Sequence, residues 1–323
     1  MIILTGVSGF IGSCFLRKLN QIGFNREVVV VDDFYKIYKD QNTLNKAVRE
    51  WMHRDIFLDW FEKTSQKIDY VIHLGARTDT TLMDKEVFDE LNFNYSKRIW
   101  NTCAERQIPL IYASSAATYG DGSLGFKDDH DGIKNLNPLN PYGQSKHDFD
   151  VWALSQKHAP PQWFGCKFFN VYGPNEYHKS RMASVIFHTF HKIKSTGEMQ
   201  LFKSHKPEYK DGEQSRDFIY IKDLMSILTF LMQNSTLPNG IYNCGTGQAR
   251  TFLDLALSTF AAMNVSENIS FIDTPIDIRD TYQYYTEADM TKMKSIGYNQ
   301  PFHTLEEGIT DYVQSYLSPN IYY

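Results

Sequence analysis

The chain has 323 residues, of which 42% are hydrophobic and 22% are charged, and its formal net charge is −5. This length corresponds to about two domains, and the ordinary composition excludes a disordered or fibrous chain. The slightly negative charge argues against a nucleic-acid partner, and four widely spaced cysteines indicate buried thiols in a reducing compartment, with neither a disulfide framework nor a metal site.

The first forty residues have the layout of a dinucleotide-binding unit. The apolar run at residues 2–5 predicts a strand, and a G-x-x-G-x-x-G motif follows it. Apolar residues then recur at helical spacing up to Gly23, and the β-branched run at residues 28–31 predicts a second buried strand. This strand ends at Asp32 and Asp33, about twenty residues after the last glycine of the motif.

Each glycine of the motif has a physical role in nucleotide binding. Gly6 allows a tight turn, Gly9 lets the backbone approach a pyrophosphate, and Gly12 lets the helix pack closely on the strand. The start of the helix supplies free N–H donors and the positive end of its dipole to the phosphates. In this context the motif predicts a bound dinucleotide.

The choice between NAD and NADP stays open from these residues alone. Asp32 would accept hydrogen bonds from an adenosine ribose, which favours NAD. Lys36, Lys39 and Arg54 lie just beyond it in the chain. They are either cations that hold a 2′-phosphate or parts of a solvated basic segment.

The strand and helix pattern then repeats. Residues 70–76 and 110–115 predict two more buried strands, and residues 88–104 predict a helix between them. Strands and helices that alternate in this order predict an α/β fold with a Rossmann-type, doubly wound parallel sheet. The ligand crevice of such a sheet lies at the carboxyl ends of the strands.

A serine, a tyrosine and a lysine follow in the pattern of a dehydrogenase site. Ser115 ends the fourth predicted strand, and Tyr142 and Lys146 share one helical face because they are four residues apart. We expect the ammonium group and a positive nicotinamide ring to lower the pKa of the phenol from about 10. The phenolate would then take a proton from an alcohol while hydride leaves its carbon. The alternative is an exposed helix face, which the upstream glycine motif disfavours.

With these motifs the chain resembles the extended short-chain dehydrogenase/reductases that act on nucleotide-diphosphate sugars. In that superfamily the sugar 4,6-dehydratases carry Asp-Glu directly after the active-site hydroxyl, as acid and base for the loss of water. Ala116 and Ala117 occupy these positions here, so dehydration is disfavoured.

Over nearly its whole length the chain is similar to the ADP-heptose 6-epimerases of that superfamily. The similar segments are 112–120, 169–174, 178–179, 182–185, 187–188, 282–283 and 286–289. The resemblance implies an isomerase that inverts C6 of the heptose by oxidation and re-reduction on one tightly bound NADP. It also implies a role in lipopolysaccharide biosynthesis and a homo-oligomer.

The resemblance adds a second acid/base, because hydride must leave one face of the carbon and return to the other. The matching position is Lys179, which the residues alone would suggest is a surface charge. The implied cofactor-binding residues are Phe10, Ile11, Asp32, Asp33, Lys39, Arg54, Leu74, Gly75, Ala76, Arg77, Thr78, Asn92, Lys146, Val171 and Lys179. Lys39 and Arg54 match cations that hold a 2′-phosphate, which favours NADP over NAD.

The resemblance also implies a set of substrate contacts. These are Ser115, Asn170, Arg181, His188, Phe202, Arg216 and Tyr282. An arginine suits a pyrophosphate because its planar fork donates two parallel hydrogen bonds, whereas His188 is equally compatible with a packed helix residue. Arg77 and Arg181 depart from the family pattern, and residues 203–215 are either a lid or, more simply, a solvated loop.

The chain divides near residue 170 into an NAD(P)-binding domain, 1–170, and a smaller substrate-binding domain, 171–323. The resemblance implies that segments near residues 217–245 return to the first sheet. No apolar run approaches the ~20 residues of a membrane span, and the N-terminus has no basic signal region, so we expect a cytoplasmic protein without a membrane partner.

Two other functions fit the same motifs. A UDP- or GDP-hexose 4-epimerase or reductase would use the same serine, tyrosine and lysine. A non-catalytic nucleotide-binding scaffold would need none of them, so the intact set argues against it.

Overall fold

The computed structural model describes residues 1–34, 41–279 and 282–323. In chain order the strands are β1 (Ile2–Thr5), β2 (Val28–Asp32), β3 (Glu50–His53), β4 (Tyr70–His73), β5 (Leu110–Ser115), β6 (Trp163–Phe168), β7 (Asn170–Tyr172), β8 (Met199–Phe202), β9 (Ser215–Tyr220), β10 (Gly240–Cys244), β11 (Ala249–Thr251) and β12 (Ile269–Ile272).

The helices alternate with the strands in the first half of the chain and dominate the second. They are α1 (Phe10–Gln21), α2 (Arg54–Lys63), α3 (Lys85–Phe88), α4 (Tyr95–Glu105), α5 (His130–Ile133), α6 (Pro141–Ser155), α7 (Val185–Thr196), α8 (Ile221–Gln233), α9 (Phe252–Met263), α10 (Ile276–Arg279), α11 (Thr291–Ser295) and α12 (Leu305–Tyr312). Among the helices of the described ranges, none has the length and apolar character that a membrane crossing requires.

A seven-stranded sheet with the order β10-β6-β5-β4-β1-β2-β3 forms the centre of the molecule, and all its pairings are parallel. The predicted Rossmann-type α/β fold is therefore confirmed. Alternate residues of β1 enter opposite cores: Ile2 and Leu4 pack with α1, and Ile3 packs with α2 and α4. Burial on both faces explains why these strands consist of uninterrupted apolar residues.

The structure differs from the predicted elements in two places. The helix predicted at residues 88–104 is interrupted by a π-helical segment, Asp89–Asn94, between α3 and α4. Strand β3 and helix α2 were not predicted, because β3 carries an alternating and partly exposed sequence, Glu-Trp-Met-His, at the sheet edge.

Strands outside the central sheet form two small sheets. β9 pairs parallel with β7 and antiparallel with β11, and β12 pairs parallel with β8. β10 lies at the edge of the central sheet beside β6, although it follows β9 in the chain. The domain boundary near residue 170 stays a prediction.

Asp217 of β9 fastens these segments to one another. Its buried carboxylate accepts hydrogen bonds from the backbone of Thr246, Gly247 and Ala288, at 2.8 to 3.0 Å, and from the Thr246 hydroxyl at 2.7 Å. Burial raises the pKa of Asp217, and these donors oppose that shift. The carboxylate thus joins the end of β10 and the segment before α11 to β9.

Replacing Asp217 with Asn should lower the free energy of unfolding by about 3 kcal/mol, because the amide nitrogen would face N–H donors and leave one unsatisfied. Urea unfolding measures this loss. Asp273→Asn is the matched control: its side chain is 76% exposed, so its change should stay within about 0.5 kcal/mol. Equal effects of the two substitutions would contradict the fastening role.

Candidate active site

The glycine-rich loop packs against the end of β4. Gly6 has φ of +75°, and a Cβ atom there would lie 2.6 Å from the Gly75 nitrogen. A Cβ on Gly12 would collide with the Gly6 carbonyl oxygen. Gly9 precedes α1 without a side-chain cap, and the first turn of α1, which the structure describes in full, carries no acidic residue. The backbone N–H groups of that turn line the cleft and are therefore available to bind an anion.

A cleft of about 490 Å³ opens at the carboxyl ends of the strands. It collects most of the predicted cofactor residues: Gly6, Gly9, Phe10, Ile11, Gly12, Asp32, Asp33, Arg54, Leu74, Gly75, Ala76, Arg77, Thr78 and Lys179. Its glycine cradle, uncapped helix start and carboxylates fit a nicotinamide dinucleotide. Lys36 and Lys39 lie outside the described residues.

The acidic end of β2 is held by the glycine-rich loop and by α2. Asp32 accepts hydrogen bonds from the backbone of Ser8 at 2.8 Å and of Asp33 at 2.7 Å. The Arg54 guanidinium lies 3.6 Å from the Asp33 carboxylate and is 36% exposed. Arg54 is thus a cation in the cleft, paired with the residue that follows Asp32, from which the ribose contact is expected.

Ser115 and Tyr142 meet where β5 ends and α6 begins. The Ser115 hydroxyl lies beside the Tyr142 phenol, and the Ser115 oxygen accepts a hydrogen bond from the Ala117 backbone at 3.1 Å. Asn140 caps α6 by accepting from the Gly143 backbone at 2.8 Å, and Pro141 opens the helix, so Tyr142 lies in its first turn. The structure brings the two predicted hydroxyls together.

The electrostatics of this pair differ from the expectation. Burial raises the pKa of Tyr142, and the neighbouring Ser115 hydroxyl opposes the rise only in part. The Lys146 ammonium donates a hydrogen bond to the Ala113 carbonyl at 2.9 Å, and burial lowers the pKa of Lys146 to about 8. The expected lowering of the phenol pKa by the Lys146 ammonium is therefore wrong for the protein alone: desolvation dominates, which keeps the phenol protonated.

Lys179 lies beside the cofactor loop and not on the open surface. Its ammonium is 5.4 Å from the centre of the Phe10 ring, and it lines the cleft. Burial lowers its pKa, and the buried Glu176 carboxylate opposes this. Glu176 accepts hydrogen bonds from Ser184, through its backbone at 2.5 Å and its hydroxyl at 2.6 Å, and from the Tyr312 hydroxyl at 3.0 Å.

Three predicted substrate residues form a second group. The Arg216 guanidinium lies 5.6 Å from the centre of the Tyr282 ring and 5.5 Å from that of Phe252, and Phe202 packs edge-on against Tyr282. Arg216 also donates to the Gln283 carbonyl, and the Gln283 amide donates to the Gly120 carbonyl. The group is thereby attached to the segment that follows Ser115.

The other predicted substrate residues lie on separate elements of the fold. Asn170 donates to the Asp217 carbonyl at 3.3 Å and to the Thr286 hydroxyl at 3.4 Å. His188 lies in α7 beside the Phe187 ring. Arg181 is 67% exposed and 3.4 Å from Asp79.

Two predicted cofactor residues, Asn92 and Val171, are not among the described residues that line the cleft. The Asn92 side chain accepts from the Arg77 backbone at 2.8 Å and donates to the Arg77 carbonyl and the Ser145 hydroxyl, both at 3.0 Å. Val171 lies in β7, partly buried against the core. Their binding roles stay predictions.

Two residues next to the site were missed from the sequence. Asp150 of α6 and Lys167 of β6 form an ion pair at 2.7 Å, and both side chains are fully buried. The signal was a lone lysine inside the apolar run of β6, together with an acid four residues after Lys146. Across the described ranges, histidine, cysteine and acidic side chains form no cluster that could hold a metal ion.

Comparisons with known proteins agree with this geometry. The ADP-L-glycero-D-manno-heptose-6-epimerase of Fusobacterium nucleatum subsp. nucleatum is 47% identical, and that of Nitratidesulfovibrio vulgaris strain DP4 is 44% identical, each over 98% of both chains. The crystal structure of the Helicobacter pylori enzyme of the same name matches with a TM-score of 0.79 and 27% sequence identity. The match covers 97% of this chain and 95% of the Helicobacter pylori chain.

A family model described as the NAD dependent epimerase/dehydratase family matches residues 2–245. This match covers the dinucleotide cleft, the Ser115 and Tyr142 pair and the strands that carry them. The chain belongs to the NAD dependent epimerase/dehydratase family and uses a nicotinamide cofactor.

Proposed function

We propose that this chain interconverts ADP-D-glycero-β-D-manno-heptose and ADP-L-glycero-β-D-manno-heptose, with tightly bound NADP, by transient oxidation and re-reduction at C6. The observation that carries this proposal is the similarity, over 98% of both chains, to relatives named ADP-L-glycero-D-manno-heptose-6-epimerase. The site supports it because it offers two proton-transfer groups, Tyr142 and Lys179, near one dinucleotide cleft. The expected homo-oligomer rests on the resemblance alone and stays a prediction.

Inversion at C6 needs proton transfer on both faces of the sugar carbon. Bound NADP would supply the redox chemistry by accepting hydride from C6 and returning it to the opposite face. One residue must take the hydroxyl proton as the ketone forms, and a proton must be returned to the oxygen when the ketone is reduced. Because the oxygen is presented differently in the two steps, two groups serve better than one.

Burial adjusts both groups toward their neutral forms. It raises the pKa of Tyr142, which favours a phenol able to donate a proton, and it lowers the pKa of Lys179, which favours an amine able to accept one. Ser115 would hold the substrate oxygen against the phenol. Arg216, stacked between two aromatic rings, would pair with the pyrophosphate of the ADP group.

Incubating the purified protein with ADP-D-glycero-β-D-manno-heptose, without added cofactor, should yield the L-glycero isomer by proton NMR. Denaturation should release near-stoichiometric nicotinamide nucleotide, because loss of the cofactor at the ketone stage would strand the enzyme. UDP-glucose serves as the control sugar. Conversion of UDP-glucose and not of the heptose would establish the hexose epimerase instead, and no turnover of either would favour a scaffold.

Tyr142→Phe and Lys179→Met should each lower kcat by about a hundredfold or more, the usual contribution of general acid/base catalysis. Tyr285→Phe and Lys210→Met are matched controls with exposed side chains, at 42% and 87%. Both should retain wild-type turnover. A small loss with Lys179→Met alongside a large loss with Tyr142→Phe would indicate a mechanism with a single acid/base.

Arg54→Ala should weaken NADP binding by about tenfold or more and leave NAD binding nearly unchanged, because only NADP carries a 2′-phosphate that needs this cation. Isothermal titration of cofactor-stripped protein measures both affinities. Arg98→Ala is the control, since Arg98 is also ion-paired at the surface, with Asp59 and Glu62, and is 46% exposed. Equal losses for NAD and NADP would argue against the 2′-phosphate role.

A further inference from the structure

Three residues of α6, each four after the last, face β5 through polar contacts. The Tyr142 phenol lies beside the Ser115 hydroxyl, Lys146 donates to the Ala113 carbonyl at 2.9 Å, and Asp150 accepts from the Ser114 hydroxyl at 2.6 Å. Residues at this spacing lie on one helical face. The third contact, at Asp150, has no part in the proton transfers proposed above.

The Asp150 carboxylate is fully buried, and among the described residues its ion-pair partner is Lys167, while it also acts on Lys146 at longer range. The Lys167 ammonium lies 2.7 Å away, and the Tyr112 hydroxyl donates a further hydrogen bond to Asp150 at 3.1 Å. A buried ion pair is expensive to desolvate and contributes little net stability compared with well-packed apolar residues. Stability alone therefore gives a weak reason for its presence.

Lys167 extends the connection to the other side of Ser115. It donates to the Thr118 hydroxyl at 2.6 Å, and that hydroxyl donates to the Ser115 carbonyl at 2.8 Å. Asp150 holds Ser114, and Lys167 holds the Ser115 carbonyl through Thr118. One ion pair therefore contacts the chain on both sides of the Ser115 side chain, at Ser114 and, through Thr118, at the Ser115 carbonyl. Its Asp150 member lies on the helix that carries Tyr142.

We propose that Asp150 and Lys167 are positioning residues that set the Ser115 hydroxyl against the Tyr142 phenol. Neither touches the reacting atoms; both act through Ser114, Thr118 and the backbone of Ser115. The expected loss of turnover rests on the proposed function, whereas the expected change in the position of the Ser115 hydroxyl does not.

The double substitution Asp150→Leu with Lys167→Met separates positioning from folding. Replacing both partners leaves no unpaired charge behind, so the protein should fold, with a thermal midpoint lowered because the Ser114 and Tyr112 hydroxyls lose their acceptor. The value of kcat should fall at least tenfold while KM changes less than threefold, because the contacts that bind ADP are elsewhere. A stable double variant with wild-type kcat would overturn the proposal.

Conservative variants test the same connection without removing the charge pair. Lys167→Arg keeps the cation and should recover most of the turnover that Lys167→Met loses. Thr118→Val removes only the hydroxyl between Lys167 and Ser115, and should lower kcat severalfold with little change in KM. If the double variant does not fold, unchanged turnover in Thr118→Val overturns the proposal.

The control is the ion pair between Lys222 of α8 and Asp311 of α12, at 2.5 Å. Its double replacement, Lys222→Met with Asp311→Leu, should leave kcat unchanged. A wild-type protein that interconverts no heptose would refute the proposed function. Crystal structures of the wild type and of the Asp150/Lys167 double variant would still decide the inference, which an unchanged distance between the Ser115 and Tyr142 hydroxyls would refute.

Discussion

Contact between helix α6 and strand β5 determines the arrangement of the candidate active-site residues. On the helix, Tyr142, Lys146 and Asp150 lie about one turn apart. They contact the Ser115 hydroxyl, the Ala113 carbonyl and the Ser114 hydroxyl of the strand, respectively. The central parallel sheet makes this possible, because β5 lies between β4 and β6 with its carboxyl end toward the cleft. Displacement of the helix along the strand would separate all three contacts together.

Desolvation is the main electrostatic influence on this site. It raises the pKa of Tyr142 and lowers that of Lys146 and Lys179, so it acts on phenol and amines in opposite directions. Nearby carboxylates oppose the shift of the amines: Asp150 acts on Lys146, and Glu176 acts on Lys179. Each of these two lysines therefore has its own buried acid, which lies on the same helix as Lys146 and just before Lys179 in the chain.

Local patterns predicted the glycine loop, the acid after β2 and the serine, tyrosine and lysine set, whereas the other site residues were named from the family resemblance. The glycine motif, the β-branched run of β2 and Ser115 at the end of β5 each signal their roles within a few residues. Asp150 and Lys167 lie on different elements, and only the packing of α6 against β5 and β6 shows that they pair. The pKa of Tyr142 was mispredicted for a related reason, since the amount of protein around a side chain cannot be read from its neighbours in the chain.

Glu176 connects Lys179 to the far end of the polypeptide. Its carboxylate binds both Ser184, which caps α7, and the hydroxyl of Tyr312, which ends α12. The acid beside Lys179 is consequently held in place by a helix more than a hundred residues further along the chain. Truncation before α12 would therefore remove the Tyr312 donor from the Glu176 carboxylate and alter the charge environment of a lysine in the cleft.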